Sequence, residues 1–75
     1  MTREYKLFKV SNNKEKLIKI FPTMQEAQHK VRSILGLREF QNCNYVELFD
    51  GMMCIGMDFT KNNETIFRIK KEVNW

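Results

Sequence analysis

YKLFKVSNNKEKLIKIF, residues 5–21, alternates apolar and polar side chains on both sides of an Asn-Asn pair. Asparagine tolerates the positive φ angles of a tight turn, so residues 12–13 are predicted to close a two-residue β-hairpin. The predicted cross-strand pairs are Tyr5–Ile20, Leu7–Ile18, Phe8–Leu17 and Lys9–Lys16. Each pair joins residues of like character, as a correct register should, because a shift of one residue would turn every side chain over.

The next segment, PTMQEAQHKVRSILGL at residues 22–37, has the signals of an amphipathic helix. Thr23 and Glu26 form a T-x-x-E capping box, and Gly36 provides a left-handed stop. Between them an apolar stripe recurs with helical period. The stripe consists of Met24, Ala27, Val31, Ile34 and Leu35. We therefore expect a helix that packs on a sheet, followed by a connector over residues 38–41.

A second hairpin is predicted around Asp50-Gly51, which is among the strongest short turn signals. A two-residue turn at that dipeptide gathers one apolar face that suits packing against the helix. That face consists of Val46, Leu48, Met53, Ile55 and Met57. The opposite face then presents Tyr45, Phe49, Met52 and Cys54.

A further turn is predicted at Asn62-Asn63, before the last strand. A three-residue loop with Asn63 in a left-handed conformation keeps the core face continuous. It pairs Phe59 with Phe67 and Met57 with Ile69, and the alternation continues to Val73 and Trp75. The predicted fold class is α+β, an antiparallel sheet of about five strands with one helix packed on one face, in the order β-β-α-β-β-β. Residues 1–75 form a single domain, and the order of the hairpins in the sheet stays open.

Charge is distributed unevenly along the chain. Residues 1–38 hold nine Lys or Arg against three acids, whereas residues 39–75 hold four against six. The molecule is therefore expected to have a basic and an acidic side. No apolar run suits a signal peptide or a membrane span, and two cysteines fit a reducing compartment. We expect a cytoplasmic protein with no membrane partner. The abundance of Lys, Asn, Ile and Phe fits an AT-rich coding sequence, as in low-GC bacteria or their phages, in which case the location is the host cytoplasm.

The sulfur-rich stretch at residues 42–57 raises the question of a metal or redox site. The chain has neither C-x-x-C nor H-x-x-x-H spacing. The predicted strands keep Cys43 and Cys54 about 13 Å apart, which is too far for a disulfide. Acidic residues near turns are typical of surface positions, and no Gly-rich phosphate loop is present. The sequence therefore predicts no catalytic residue, no cofactor and no metal site, and we expect that the protein is not an enzyme.

The functional hypothesis comes from apolar residues predicted on both faces of a sheet that one helix covers on one side only. Either the sheet curls around both sets or another chain covers the open one, since exposed apolar patches usually mark interaction surfaces. The first hairpin presents on that face either Phe8, Val10, Leu17 and Phe21 or Tyr5, Leu7, Ile18 and Ile20. We therefore expect a small non-enzymatic intracellular protein-binding module, with a homodimer through the open face as one form. The candidate protein-binding residues are Tyr45, Phe49, Met52, Phe8, Lys9 and Lys16.

The partner has two expected properties. Lys9 and Lys16 repel each other across the first hairpin, which favours an acidic partner. Compact size and AT-rich composition are also typical of a phage or mobile-element protein that modulates a host enzyme.

Nucleic-acid binding is the alternative hypothesis. The basic half of the chain could follow a phosphate backbone while aromatic rings stack on bases. The residues that would do so are Lys6, Lys9, Lys14, Lys16, Lys19, Lys30 and Arg32. Against it, lysines commonly protect exposed strand edges, and the sequence has no RNP-like signature, zinc finger or Arg-rich recognition helix.

Overall fold

The computed structural model describes residues 2–74, except the side chains of Thr2 and Asn74. The strands are β1 (Thr2–Ser11), β2 (Lys14–Phe21), β3 (Asn44–Asp50), β4 (Met53–Lys61) and β5 (Glu64–Asn74). The helices are α1 (Met24–Leu35) and α2 (Leu37–Asn42). The strands form one antiparallel sheet in the order β2-β1-β5-β4-β3, so β2 and β3 are its edges. The predicted fold class and element order are confirmed, with α2 in place of the expected connector; the predicted position of Trp75 lies outside the described residues.

Helix α1 begins and ends where its caps predict. Thr23 has extended backbone angles, and its hydroxyl accepts a hydrogen bond from the backbone N–H of Glu26 at 3.2 Å. Gly36 ends the helix with φ of 81°, and its N–H donates to the carbonyl of Arg32. Ala27 and Val31 of the predicted stripe are buried, whereas Ile34 is 46% exposed. Met24 and Leu35 are half-buried against the core, so the stripe holds for four of its five predicted residues.

The core lies between α1 and one face of the sheet, which we call the helix side. Its buried members are Leu7, Phe21, Ala27, Val31, Met57, Phe59, Phe67 and Ile69. Half-buried apolar residues close its margins: Tyr5, Met24, Leu35, Phe40 and Ile66. Among them Phe40 of α2 packs on Phe59, with ring centroids 6.0 Å apart. The short second helix therefore extends the cover of the core toward β4.

Each hairpin combines a two-residue turn with a β-bulge that inserts one isoleucine. Asn12, Asn13, Asn62 and Asn63 all have positive φ, as type I′ turns require. Ile18 is the extra residue between β1 and β2, Ile55 between β3 and β4, and Ile66 between β4 and β5. A bulge places two residues of one strand opposite one residue of its partner. The pairing beyond the bulge is therefore shifted by one residue, and the side chains there point to the other face of the sheet.

The first hairpin follows the predicted register only up to its bulge. Phe8 pairs with Leu17 as predicted, but Leu7 pairs with Lys19 instead of Ile18, and Tyr5 with Phe21 instead of Ile20. The extra residue is the physical reason for the difference. It turns Phe21 into the core, where 8% of its surface is exposed, so neither predicted set for the open face occurs intact.

The second hairpin turns one residue later than predicted. Its turn residues are Gly51 and Met52, with positive φ at the glycine alone, as in a type II′ turn. With the bulge that follows, Val46 pairs with Asp58 and Leu48 with Gly56. The predicted common face of Val46, Leu48, Met53, Ile55 and Met57 is therefore wrong, because its β3 members lie on the face opposite to Met57.

The third hairpin has the predicted core pairs but a different loop. Phe59 pairs with Phe67 and Met57 with Ile69, as predicted. The turn has two residues, because Lys61 pairs directly with Glu64. The bulge supplies the additional residue that the prediction had placed in a three-residue loop, so both arrangements give the same register in the core.

Candidate protein-interaction surfaces

The centre of the sheet face turned away from α1, which we call the open face, carries charges. Arg68 makes two hydrogen bonds to the carboxylate of Asp58, at 2.7 and 3.1 Å, and one to Glu15 at 3.0 Å. Lys70 reaches the other oxygen of Glu15 at 2.8 Å and lies over the ring of Phe8. This network joins β2, β5 and β4 across the open face. These charges separate the apolar residues that the sequence predicts on this face, because the central strands place charged residues between them.

Electrostatic shifts follow from these pairs. The hydrogen bond from Lys70, followed by the positive charges of Lys70 and Arg68, holds the pKa of the Glu15 carboxyl below its ordinary value of 4.5. The hydrogen bond to Asp58 raises the pKa of Arg68 above its already high ordinary value. Both groups are therefore charged throughout the neutral range.

Stability should depend on Glu15 in a defined pH window. Its folded-state pKa is lowered, so its contribution to stability is complete above about 4.5 and is lost as the pH falls through the lower folded value. We expect Glu15→Gln to lower the free energy of unfolding at pH 7 by up to about 1 kcal/mol, because the pair is partly exposed. Urea unfolding at pH 7 and pH 3 measures the effect, and the difference from the unsubstituted protein should shrink at pH 3. A difference of equal size at both pH values would contradict the assignment.

Apolar side chains flank this charged centre on the two edge strands. Leu17 and Ile20 of β2 lie at one end of the open face, and Val46 and Leu48 of β3 lie at the other. Leu17, Ile20 and Val46 are exposed, whereas Leu48 is half-buried. The apolar surface is therefore divided between the two edges of the sheet.

The β3 edge and the adjoining turn form the most exposed aromatic and methionine cluster, which we call the β3 surface. Tyr45 is 63% exposed, Phe49 is 57% exposed, and the turn residue Met52 is fully exposed. Tyr45 pairs with Phe59, so it lies on the helix side of the sheet. Helix α1 packs over β1, β2 and β5 and leaves this part of the helix side uncovered.

The two edge strands differ in the residues that usually protect an edge. β2, KEKLIKIF, has three lysines, and lysine at an edge hinders pairing with another chain unless that chain places an acidic side chain beside it. β3, NYVELFD, has no lysine, arginine, proline or glycine, and its charges are those of Glu47 and Asp50. The β3 surface is thus the edge with the weaker protection against an added strand.

The predicted protein-binding residues fall into two groups. Tyr45, Phe49 and Met52 belong to the β3 surface, whereas Phe8 lies on β1, three strand spacings or about 14 Å away across the sheet. Lys9 and Lys16 pair with each other as predicted, on the helix side of the first hairpin. The structure therefore does not bring the six residues into one surface. The β3 surface also includes Val46, Glu47 and Leu48, which were absent from the predicted set. The signal that could have indicated them is the lack of lysine in NYVELFD, compared with three lysines in KEKLIKIF.

The basic residues of the alternative hypothesis are arranged along the opposite side. Lys6 forms an ion pair with Glu72, and that pair raises the pKa of its amine. The other six make no ion pair within residues 2–74 and are exposed: Lys9, Lys14, Lys16, Lys19, Lys30 and Arg32. Lys19 and Lys30 line the same groove between β2 and α1. The two edge strands thus differ in charge, since β2 has three lysines and one glutamate whereas β3 has two acidic residues and no basic one.

Cys43 and Cys54 are both free thiols. Cys54 lies opposite Phe49 and its thiol contacts the carbonyl of Gly56 at 3.5 Å. Within the described residues no three His, Cys, Asp or Glu side chains cluster closely enough to hold a metal ion. A cavity of about 710 Å³ between the two Asn-Asn turns has Glu15 and Arg68 on its wall, and both already bond to each other.

Comparison with known proteins gives no relative: no family model, no curated protein and no solved structure matches this chain. Over the part of the chain that the structure describes, neither helix has the length and apolar character needed to cross a membrane.

Proposed function

We propose that the protein is a small non-enzymatic binding module that contacts a protein partner through the β3 surface. The observation that carries the proposal is an edge strand without lysine whose aromatic residues are more than half exposed. A 75-residue domain needs most of its apolar side chains for its own core. Apolar residues as exposed as these are therefore expected to bind another molecule. Tyrosine, phenylalanine and methionine are also enriched in the buried centres of interfaces.

The mode of contact that this surface favours is addition of a strand. An edge strand has unpaired backbone N–H and C=O groups along its outer side, and an extended segment of another chain can bond to them. Side chains on both faces then add specificity, with Tyr45 and Phe49 on the helix side and Val46 and Leu48 on the open face. In this proposal the partner is a cellular enzyme that the module modulates, in keeping with a phage or mobile-element origin.

Nucleic-acid binding stays a second candidate because six exposed basic residues lie along the β2 side without acidic partners in the described chain. A phosphate backbone would neutralise them, and such binding would weaken steeply with salt. The two candidates use opposite edges, so substitutions can separate them.

Capture from the source cell lysate tests the proposal. We expect the double variant Phe49→Ser, Met52→Ser to lose most of the protein that the unsubstituted chain retains, at least tenfold, because exposed anchors of this kind carry much of the binding energy. Nuclease treatment should leave the retained protein unchanged. Mass spectrometry of the eluted material measures the loss and identifies the partner.

The matched control is Lys14→Ser, Lys16→Ser on the opposite edge, which should retain the partner. Both double variants should keep the circular dichroism spectrum and thermal midpoint of the unsubstituted chain, since all four residues are exposed. Loss of binding in the lysine variant alone, together with sensitivity to nuclease, would instead support the nucleic-acid candidate.

A further inference from the structure

Side chains form rows across the sheet, and three of these rows end in complementary groups on the two edges. On the helix side one row runs Lys19, Leu7, Ile69, Met57, Glu47. On the open face one row runs Leu17, Phe8, Arg68, Asp58, Val46, and the next runs Ile20, Lys6, Lys70, Gly56, Leu48. Each row thus begins on β2 and ends on β3 with a lysine and a glutamate, or with two aliphatic residues.

We propose that β3 of one molecule pairs with β2 of a second copy, so that the sheet continues head to tail from molecule to molecule. This inference rests on the proposed use of the β3 surface for strand addition and concerns the protein without its partner, when a second copy of this chain occupies the same edge. Successive strands in the sheet are antiparallel, so β2 and β3 point in the same direction. Translation of one copy along its rows therefore brings the two edges together as a parallel pair with both α1 helices on the same side.

In-register pairing matches three side chains of each edge. Glu47 comes to lie beside Lys19 of the second copy on the helix side. Val46 meets Leu17 and Leu48 meets Ile20 on the open face. Opposite charges and aliphatic pairs on neighbouring strands each stabilise a sheet.

Symmetric pairing of like edges lacks this complementarity. An antiparallel pair of two β3 strands can match Tyr45 with Phe49 and Val46 with Leu48, but the same register places Glu47 directly opposite its own copy. A pair of two β2 strands brings lysines together. Like charges directly opposite destabilise a sheet, so the head-to-tail arrangement is preferred over both symmetric dimers.

The geometry makes the assembly open-ended. Neighbouring strands are rotated by about 20–25°, so five strand steps rotate successive copies by roughly 100–125°. Such a contact uses different surfaces of each molecule and generates a helical chain of copies. Association should therefore continue beyond the dimer as concentration rises.

Charge exchange tests the arrangement, with sedimentation velocity of the purified chain from about 10 µM to 1 mM as the measurement. We expect the unsubstituted protein to form species larger than a dimer. Glu47→Lys or Lys19→Glu alone should weaken association about tenfold, since each replaces an attractive pair by a repulsive one. An equimolar mixture of the two single variants should associate again, because every contact between unlike molecules then joins a lysine to a glutamate.

Glu64→Lys and Lys30→Glu are the matched controls, because they make the same charge changes at exposed positions outside β2 and β3. An unsubstituted chain that stays monomeric at 1 mM would overturn the inference, and so would sensitivity to Glu47→Lys without sensitivity to Lys19→Glu. A monomeric chain that still captures a protein through Phe49 and Met52 would leave the proposed function intact. A monomeric chain that captures none would contradict both.

Discussion

Ile69→Ala is expected to lower the free energy of unfolding by about 2–5 kcal/mol, the range for truncation of a fully buried branched side chain. Ile69 has no exposed surface and pairs with Leu7 and Met57 in the row beneath α1. The variant loses the transfer free energy of the removed methyl groups. It also leaves a cavity beside the sheet, whose hydrogen-bonded strands cannot move in to fill it. A domain of this size has roughly 4–11 kcal/mol of stability in total. The loss is therefore a large fraction of what holds the fold together, and urea unfolding at 25 °C measures it.

Ile18→Ala is the matched control, because the same side chain is removed at a bulge position that is 37% exposed. Its cost should stay below about 1 kcal/mol, as for most exposed positions. Equal costs for the two substitutions would contradict the placement of Ile69 at the centre of the core. The cost of Ile18→Ala also shows whether the side chain of a bulge isoleucine stabilises the fold by packing or whether the bulge serves only to set the strand register.

Local signals in the sequence were sufficient for the first turn, the helix caps and the fold class, and they located the other two turns to within one residue. The Asn-Asn pairs have the positive φ that their side chains tolerate, and Thr23 and Gly36 bound the helix as their chemistry predicts. These features depend on neighbours within a few residues. Short-range chemistry thus determined where α1 and the first hairpin turn begin and end.

The bulges could not be predicted because they satisfy requirements of the whole sheet. Ile18, Ile55 and Ile66 are ordinary strand residues that fit an unbroken alternation equally well. In the first and third hairpins the extra residue is compatible with burial of Phe21 and Phe67 on the same face as Leu7, a requirement that involves strands distant in the sequence. The second hairpin was assigned to the wrong face for this reason, and the third was right because a longer loop is equivalent to a bulge.

The candidate site was predictable in its residue types but not in its placement. The sequence predicts Tyr45, Phe49 and Met52 as exposed residues of the open face, and all three are exposed, but Tyr45 and Phe49 lie on the helix side. The expectation of a broad open apolar face failed because Arg68 and Asp58 lie at its centre. Strand order, which the sequence leaves open, decides that β3 is an edge and that the apolar residues are divided between two edges.

Gly56→Ala is expected to damage the β3 surface without touching any of its side chains. A Cβ atom built on Gly56 would lie 2.3 Å from the backbone carbonyl oxygen of Ile69. The backbone of β5 cannot move away without breaking its hydrogen bonds to β4, so any movement that removes the clash costs free energy. We expect a loss of about 3 kcal/mol in the free energy of unfolding, the upper part of the range for overpacked sites.

Gly51→Ala provides the matched control, because no atom lies within 4 Å of its added Cβ although its φ is +64°. Its cost should be that of a left-handed alanine, about 1–2 kcal/mol, with the strand pairing kept. In the described chain β3 is hydrogen-bonded to β4 alone, so separation of β4 from β5 should release the whole β3–β4 hairpin. Hydrogen exchange should therefore rise across residues 44–61 in Gly56→Ala while the β1–β2 hairpin keeps its protection. An equal rise in hydrogen exchange over the whole chain, or no change in β3, would show that the close contact at Gly56 does not hold the β3 surface in place.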